Sequence, residues 1–206
     1  MRERRQRIRR FIGAVTVLSV IVCCQPIPNG PDEGSTGTEE RDRTYTNADW
    51  GFSISPSGSL WSVSASQIFW LRETNGLSPV QVIMQRSNPG LSSQPALLLN
   101  SFGRLEGEAL EGTAALFEAQ YMRDFVDYNQ QGERVSGTVG GVESFEWRFR
   151  AREPRTGVHF LNNRFLSVVF LRGDQVYQIL CSGRQGDFPE SDFGAILGSF
   201  RFGPRG

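Results

Sequence analysis

Lysine is absent: all 22 basic residues of this 206-residue chain are Arg, and His159 is the sole histidine. Without Lys there is no phosphate-loop Lys, no Schiff-base Lys and no Ser-x-x-Lys pair of the β-lactamase kind. With one imidazole, zinc sites built on several histidines are excluded. A Ser-His-Asp triad would have to use His159, and no G-x-S-x-G elbow accompanies it. Cysteine is nearly as scarce: Cys23 and Cys24 are adjacent near the start and Cys181 stands by itself in the remainder. The domain therefore has no disulfide framework. Cys181 falls in a strand-like run, 176–181, and reads as a buried inert thiol, since a reactive one needs a basic, partly exposed setting. The apolar run at 11–22 counts 12 residues, too few to span a bilayer, which takes about 20.

What is present at the N-terminus has the layout of an export signal. Residues 1–10 hold six Arg and one Glu, and the apolar run follows directly, as the n-region and h-region of a signal peptide do. Ile21, Val22, Cys23 and Cys24 resemble a bacterial lipobox, with Cys24 as the lipidated residue. The preceding position is Cys23 rather than the usual Gly, Ala or Ser, and taking Cys23 as acceptor would put the bulkier Val22 there. Ordinary secretion and an uncleaved anchor are the alternatives. Arg9 and Arg10 form a pair like that of a twin-Arg signal, but without the rest of that motif they read as a generic basic n-region. The expected organisation is a signal peptide at 1–23, a flexible tether at 24–46 and one domain at 47–206. The tether is rich in Pro, Gly, Ser, Thr and charge with no periodic apolar positions, so it cannot bury enough surface to fold.

The formal net charge of zero is misleading once the signal is removed. From Cys24 onward there are 22 − 6 = 16 Arg and 22 − 1 = 21 acids, about −5, which argues against a general nucleic-acid binder. The Arg-only usage reads as the codon bias of a GC-rich bacterial genome.

In the domain, short apolar runs separated by Gly, Pro, Asn and Ser predict strands at 51–55, 67–72, 80–86, 134–139, 142–152, 160–171 and 176–181, with 97–99 ambiguous between strand and loop. Residues 172–175 predict a hairpin turn. Phe117, Tyr121, Phe125 and Tyr128, extended upstream by Ala114 and Leu110, predict an amphipathic helix over 113–128. Phe193, Ile196, Leu197 and Phe200 share a face after Pro189 and predict a shorter helix within 187–200. A sheet with covering helices is an α+β arrangement, and about 160 residues suffice to fold without disulfides or metal.

The two ends of the domain carry a family signature. Trp50, Gly51, Phe52, Ser53, Ile54 and Pro56, followed by Trp61, resemble the opening of the PsbP-like superfamily, the Mog/PsbP fold with its bacterial envelope lipoprotein relatives. Phe188 and the run Ala195, Ile196, Leu197, Gly198, Ser199 and Phe200 resemble its close. Gly141 to Phe145 and Val176 to Ile179 are similar in order and spacing. The resemblance covers residues 48–202 and implies an α/β/α sandwich with a central antiparallel sheet. Members of that superfamily are mostly non-catalytic binding or assembly proteins, such as photosystem extrinsic subunits. The matching positions are apolar, Gly and Pro, so no site residue is carried over.

Few polar constellations point to chemistry. His159, at a strand start after a Thr-Gly turn, reads as a surface or edge residue. Glu106, Glu108, Glu111, Glu118, Asp124 and Asp127 could in principle pair for glycoside hydrolysis, yet charges opposite an apolar stripe ordinarily form the solvated face. The run 145–152 alternates Phe145, Trp147, Phe149 and Ala151 with Glu146, Arg148, Arg150 and Arg152. Strand geometry then puts three Arg along one face at about 7 Å intervals. With Arg155 they are a candidate patch for an anionic ligand or an acidic partner; the other reading is an uncovered strand face whose Arg pair with nearby acids. Arg172, Gly173 and Asp174 spell an integrin-recognition tripeptide, which turn chemistry explains without function. Gly137, Gly140 and Gly141 form no phosphate fingerprint and read as turn residues.

The expected function is a non-enzymatic, lipid-anchored envelope protein that binds a protein partner or membrane-associated assembly, with neither catalytic residues nor metal nor cofactor. The alternatives are a carrier or sensor of a small apolar or anionic ligand and a hydrolase using surface carboxylates. The expected location is the cell envelope, on the outer side of a membrane or in the periplasm, with secretion as the alternative.

Overall fold

The computed structural model describes residues 44–68, 71–87, 94–104, 107–152 and 163–204. Cys24, Arg155 and His159, and with them the signal-peptide reading, lie outside the described residues. In chain order the elements are β1 (Tyr45–Asn47), β2 (Phe52–Ile54), β3 (Trp61–Gln67), β4 (Val80–Arg86), β5 (Ala96–Gly103), α1 (Leu110–Asp124) and β6 (Val126–Gln130). There follow β7 (Val135–Val139), β8 (Val142–Arg152), β9 (Asn163–Arg172), β10 (Gln175–Arg184), α2 (Glu190–Ser199) and β11 (Arg201–Phe202).

The main antiparallel sheet has the order β3-β4-β5-β10-β9-β8-β6, with β7 also paired to β8. β1, β2 and β11 form a separate three-stranded sheet. Side chains alternate across a strand, so the central strands of the main sheet feed two clusters, one on each face. One contains Val82, Met84, Leu97, Leu99, Val168, Phe170, Tyr177, Ile179 and Cys181 and is covered by α2 and the small sheet. The other contains Trp147, Phe149, Ala151, Phe165 and Val169 and is covered by α1. Phe165 to Phe170 are consecutively buried because β9 has a covered face on both sides. The arrangement is α+β, as expected.

The domain's start and end meet in the first cluster. β2 pairs with both β1 and β11, and the Phe52 ring stacks on Phe200 with centroids 5.4 Å apart. Around them, the Tyr177 hydroxyl donates to the Trp50 carbonyl at 2.9 Å, and the Trp61 indole donates to Asp192 Oδ2 at 3.1 Å. The β7–β8 turn closes against the same aromatic group: Gly140 has φ 59°, and a Cβ there would lie 3.0 Å from both Phe200 and Phe202.

Strands at 80–86 and 142–152 run as expected, and the ambiguous 97–99 is the middle of β5. The 172–175 turn is a two-residue hairpin with Gly173 at φ 61°. Two expectations are corrected. The strand expected at 67–72 lies earlier, as β3, and ends at Gln67. β3 is an edge strand of Ser, Ala and Val with little apolar signal, whereas the apolar residues that follow drew the assignment. The helix expected over 113–128 ends at Asp124. Phe125 is already extended, and Tyr128 reaches the same aromatic cluster from β6, where its ring meets Phe149 at 4.8 Å. The stripe of Leu110, Ala114, Phe117 and Tyr121 is otherwise the face that α1 packs on the sheet, and Phe125 joins the same cluster from just past its end.

Candidate functional site

The basic face of β8 forms because its alternation holds over the whole strand. Trp147, Phe149 and Ala151 are buried toward α1, while Glu146, Arg148 and Arg150 turn to the side of α2. The register with β9 sets Arg148 beside Leu166 and Arg150 directly beside Arg164. Arg164 was not singled out from sequence. The long connection between β8 and β9 leaves their register undetermined until the sheet forms, so no local signal could pair it with Arg150.

The guanidinium groups differ in their partners. Arg148 Nη2 lies 3.0 Å from Glu190 Oε1, in the first turn of α2, and its Nη1 lies 3.4 Å from Glu146. Arg164 shares the second oxygen of Glu190 at 3.9 Å and lies over the Phe188 ring at 5.0 Å. Arg152 is paired with Asp127 of β6. Arg150 takes part in no ion pair among the described residues, and its Nε is buried without a hydrogen-bond partner. Four guanidinium groups thus stand against three carboxylates, and the excess charge is at Arg150, facing Arg164. Of the three Arg in a row on this face, Arg148 and Arg152 pair with nearby acids, and Arg150 between them has no ion pair among the described residues.

The other candidates are dispersed or used structurally. Glu118 pairs with Arg134, which lies over Phe145 and Trp147, while Asp124 pairs with Arg123 and Asp127 with Arg152. These carboxylates do not converge, and among the described residues no group of three or more His, Cys, Asp or Glu is placed to hold a metal ion. Cys181 is fully buried, and burial, aided by the charge of Glu146, pushes its thiol far above the usual range. Arg172 donates to the Gly51 and Gly203 carbonyls and lies over Phe202 at 4.3 Å, and Asp174 binds Thr74 and Asn75. The tripeptide at 172–174 is therefore part of the packing.

One polar arrangement was missed altogether. Gln81 Nε2 donates to Asn100 Oδ1 at 2.9 Å, Asn100 Nδ2 to Gln178 Oε1 at 2.8 Å, and Gln178 Nε2 to the Tyr121 hydroxyl at 2.6 Å. The Tyr121 hydroxyl also lies 3.3 Å from Ser167 Oγ. The three amides occupy one cross-strand row through the registers of β4, β5 and β10. Burial pushes Tyr121 well above the usual phenol range, so the chain fastens α1 to the sheet and moves no proton near neutrality. Amides separated by tens of residues have no sequence signature; only register brings them together.

No family model and no curated relative matches the chain. Among solved structures it is similar to the cyanobacterial PsbP (CyanoP) of Synechocystis sp. PCC 6803. The TM-score is 0.54 at 11% identity, over 82% of this chain and 98% of that one. The fold is PsbP-like. At that identity the likeness extends to architecture alone. The PsbP-like frame explains why the resembling residues are apolar: Trp50, Phe52, Ile54, Trp61, Ile196 and Phe200 all belong to one cluster.

Proposed function

We propose that the protein is a non-enzymatic, lipid-anchored envelope protein whose domain docks an acidic segment of a protein partner on the face of Arg148, Arg150, Arg152 and Arg164. The observation that carries this reading is Arg150, which faces Arg164 across two paired strands and has no ion pair among the described residues. Like charges directly opposite one another destabilise a sheet, and a buried N–H such as Arg150 Nε left without an acceptor is costly. A carboxylate delivered from outside relieves both, and Arg is suited to hold it by two parallel hydrogen bonds. The lipid on Cys24 and the tether between it and β1 would hold this face near a membrane.

Crosslinking in intact cells tests the partner. A discrete crosslinked protein is expected, with Arg150→Ser and Arg164→Ser together reducing its recovery at least tenfold and raised salt weakening it. Recovery equal to wild type would overturn the docking surface, and a captured small anion in place of a protein would replace the partner by a ligand. For the anchor, Cys24→Ser should abolish incorporation of labelled palmitate and move the protein to the soluble fraction. Unchanged labelling would reject Cys24 as the acceptor.

A further inference from the structure

The two edges of the main sheet are finished differently. At the β6 edge the register with β8 slips between Val126 and Asn129, Asp127 has φ 56°, and the ion pair of Asp127 with Arg152 stands beside it. A bulge and charge are what natural sheets use to prevent further pairing. The β3 edge has neither. Its register with β4 is continuous from Trp61 to Gln67, and no charged residue occurs between Asp49 and Arg72 in the sequence.

The outward backbone groups of β3 follow from the ladder. Ser87 N–H donates to the Leu60 carbonyl at 2.8 Å and Ile68 N–H to the Pro79 carbonyl at 2.8 Å. In an antiparallel pair the bonded residues alternate. Ser62, Ser64 and Ser66 therefore bond to β4, and the N–H and C=O groups of Val63, Ala65 and Gln67 point away from the sheet. Ser62, Ser64, Ala65, Ser66 and Gln67 are exposed, so nothing among the described residues covers this side.

We infer that β3 pairs with β3 of a second copy, antiparallel and centred on Ala65. In that register Ala65 faces Ala65 and Val63 faces Gln67 on both sides of a two-fold axis. The outward groups of these residues then form six hydrogen bonds. Ser64 comes beside Ser66, a pairing of small hydroxyl side chains, and no like charges meet. The pattern is self-complementary, as a two-fold interface requires. It gives no charge with which to select a foreign strand. A strand-to-strand contact of this length falls below the roughly 1,200 Å² of a stable interface, so the dimer is weak and concentration-dependent.

Sedimentation of the full chain in detergent, over a wide concentration series, tests the inference. Wild type should pass from one to two copies as concentration rises, with amide exchange at Val63, Ala65 and Gln67 slowing in step. Ala65→Pro removes an N–H that the β4 ladder does not use, so the domain keeps its fold while the dissociation constant rises at least about tenfold. Should that variant fail to fold, Ser64→Lys with Ser66→Lys brings like charges together across the axis and carries the same expectation. A wild type that stays monomeric throughout, or folded variants that associate as tightly as wild type, would overturn the dimer. Protection of the three amides only when a cell extract is added would assign the edge to a foreign strand and overturn it equally.

Discussion

The two faces of the main sheet are built by different means. The face under α2 and the small sheet is filled by residues from both ends of the domain, with the rings of Phe52, Phe170, Tyr177, Phe200 and Phe202 linked in one contact network. The face under α1 is an aromatic cluster drawn from residues 110–180, tied to the sheet by the amide chain ending at Tyr121. The end motifs of the PsbP-like resemblance, at 50–61 and 188–200, pack on the first face. The difference lies in what each face joins: the first closes the chain's two ends over the sheet through stacked aromatic rings, whereas the α1 face fastens a helix by aromatics and a chain of amides.

The sharpest way to break that comparison is to truncate one aromatic on each face. Phe200→Ala should cost about 3–5 kcal/mol and abolish amide protection in β2, because Phe200 stacks on Phe52 and lies next to β11. Phe149→Ala should cost a similar amount by denaturant titration yet leave β2 protected, since its ring meets Tyr121, Phe125, Tyr128 and Phe165 only on the α1 side. Loss of β2 protection in both would show that the faces unfold as one unit.

A smaller effect is expected from the amide chain. Gln178→Leu leaves Asn100 Nδ2 and the Tyr121 hydroxyl short of a partner and should cost about 1–3 kcal/mol, with exchange rising first in α1. An unchanged melting temperature would mean that the chain does not fasten the helix.

The smallest effect is one of pH, and it belongs to the α1 face. Burial, with the charge of Glu118 adding to it, pushes Tyr128 up from 10.0 to about 12. A raised folded-state value makes the neutral phenol the favoured form in the fold, so this stability is fully present below pH 10. It is lost as pH climbs from 10 towards 12, because the unfolded chain releases its proton first. Tyr121 acts in the same direction. Denaturant midpoints of Tyr128→Phe should fall less steeply than wild type across that interval; equal slopes would remove the assignment.

Much of this architecture was legible before folding. The spacing of Leu110, Ala114, Phe117 and Tyr121 marks the packed face of α1, and the alternation of 145–152 marks β8, because helical and strand periods act over neighbouring residues. Where the periods coincide the reading failed, as at Tyr128, whose ring joins the aromatic stripe from a strand. It failed again at β3, where an edge strand buries so little that Ser and Ala suffice.

The local pattern of the chain determined where strands, helices and turns form, and that Arg148, Arg150 and Arg152 share a side. Only tertiary structure decided which of them has no ion pair among the described residues. Arg164, Glu190 and Asp127 arrive from a neighbouring strand, a distant helix and a bulged edge. Periodicity specifies which way a side chain points, but the charge it meets depends on register and on the packing of segments far apart in the chain.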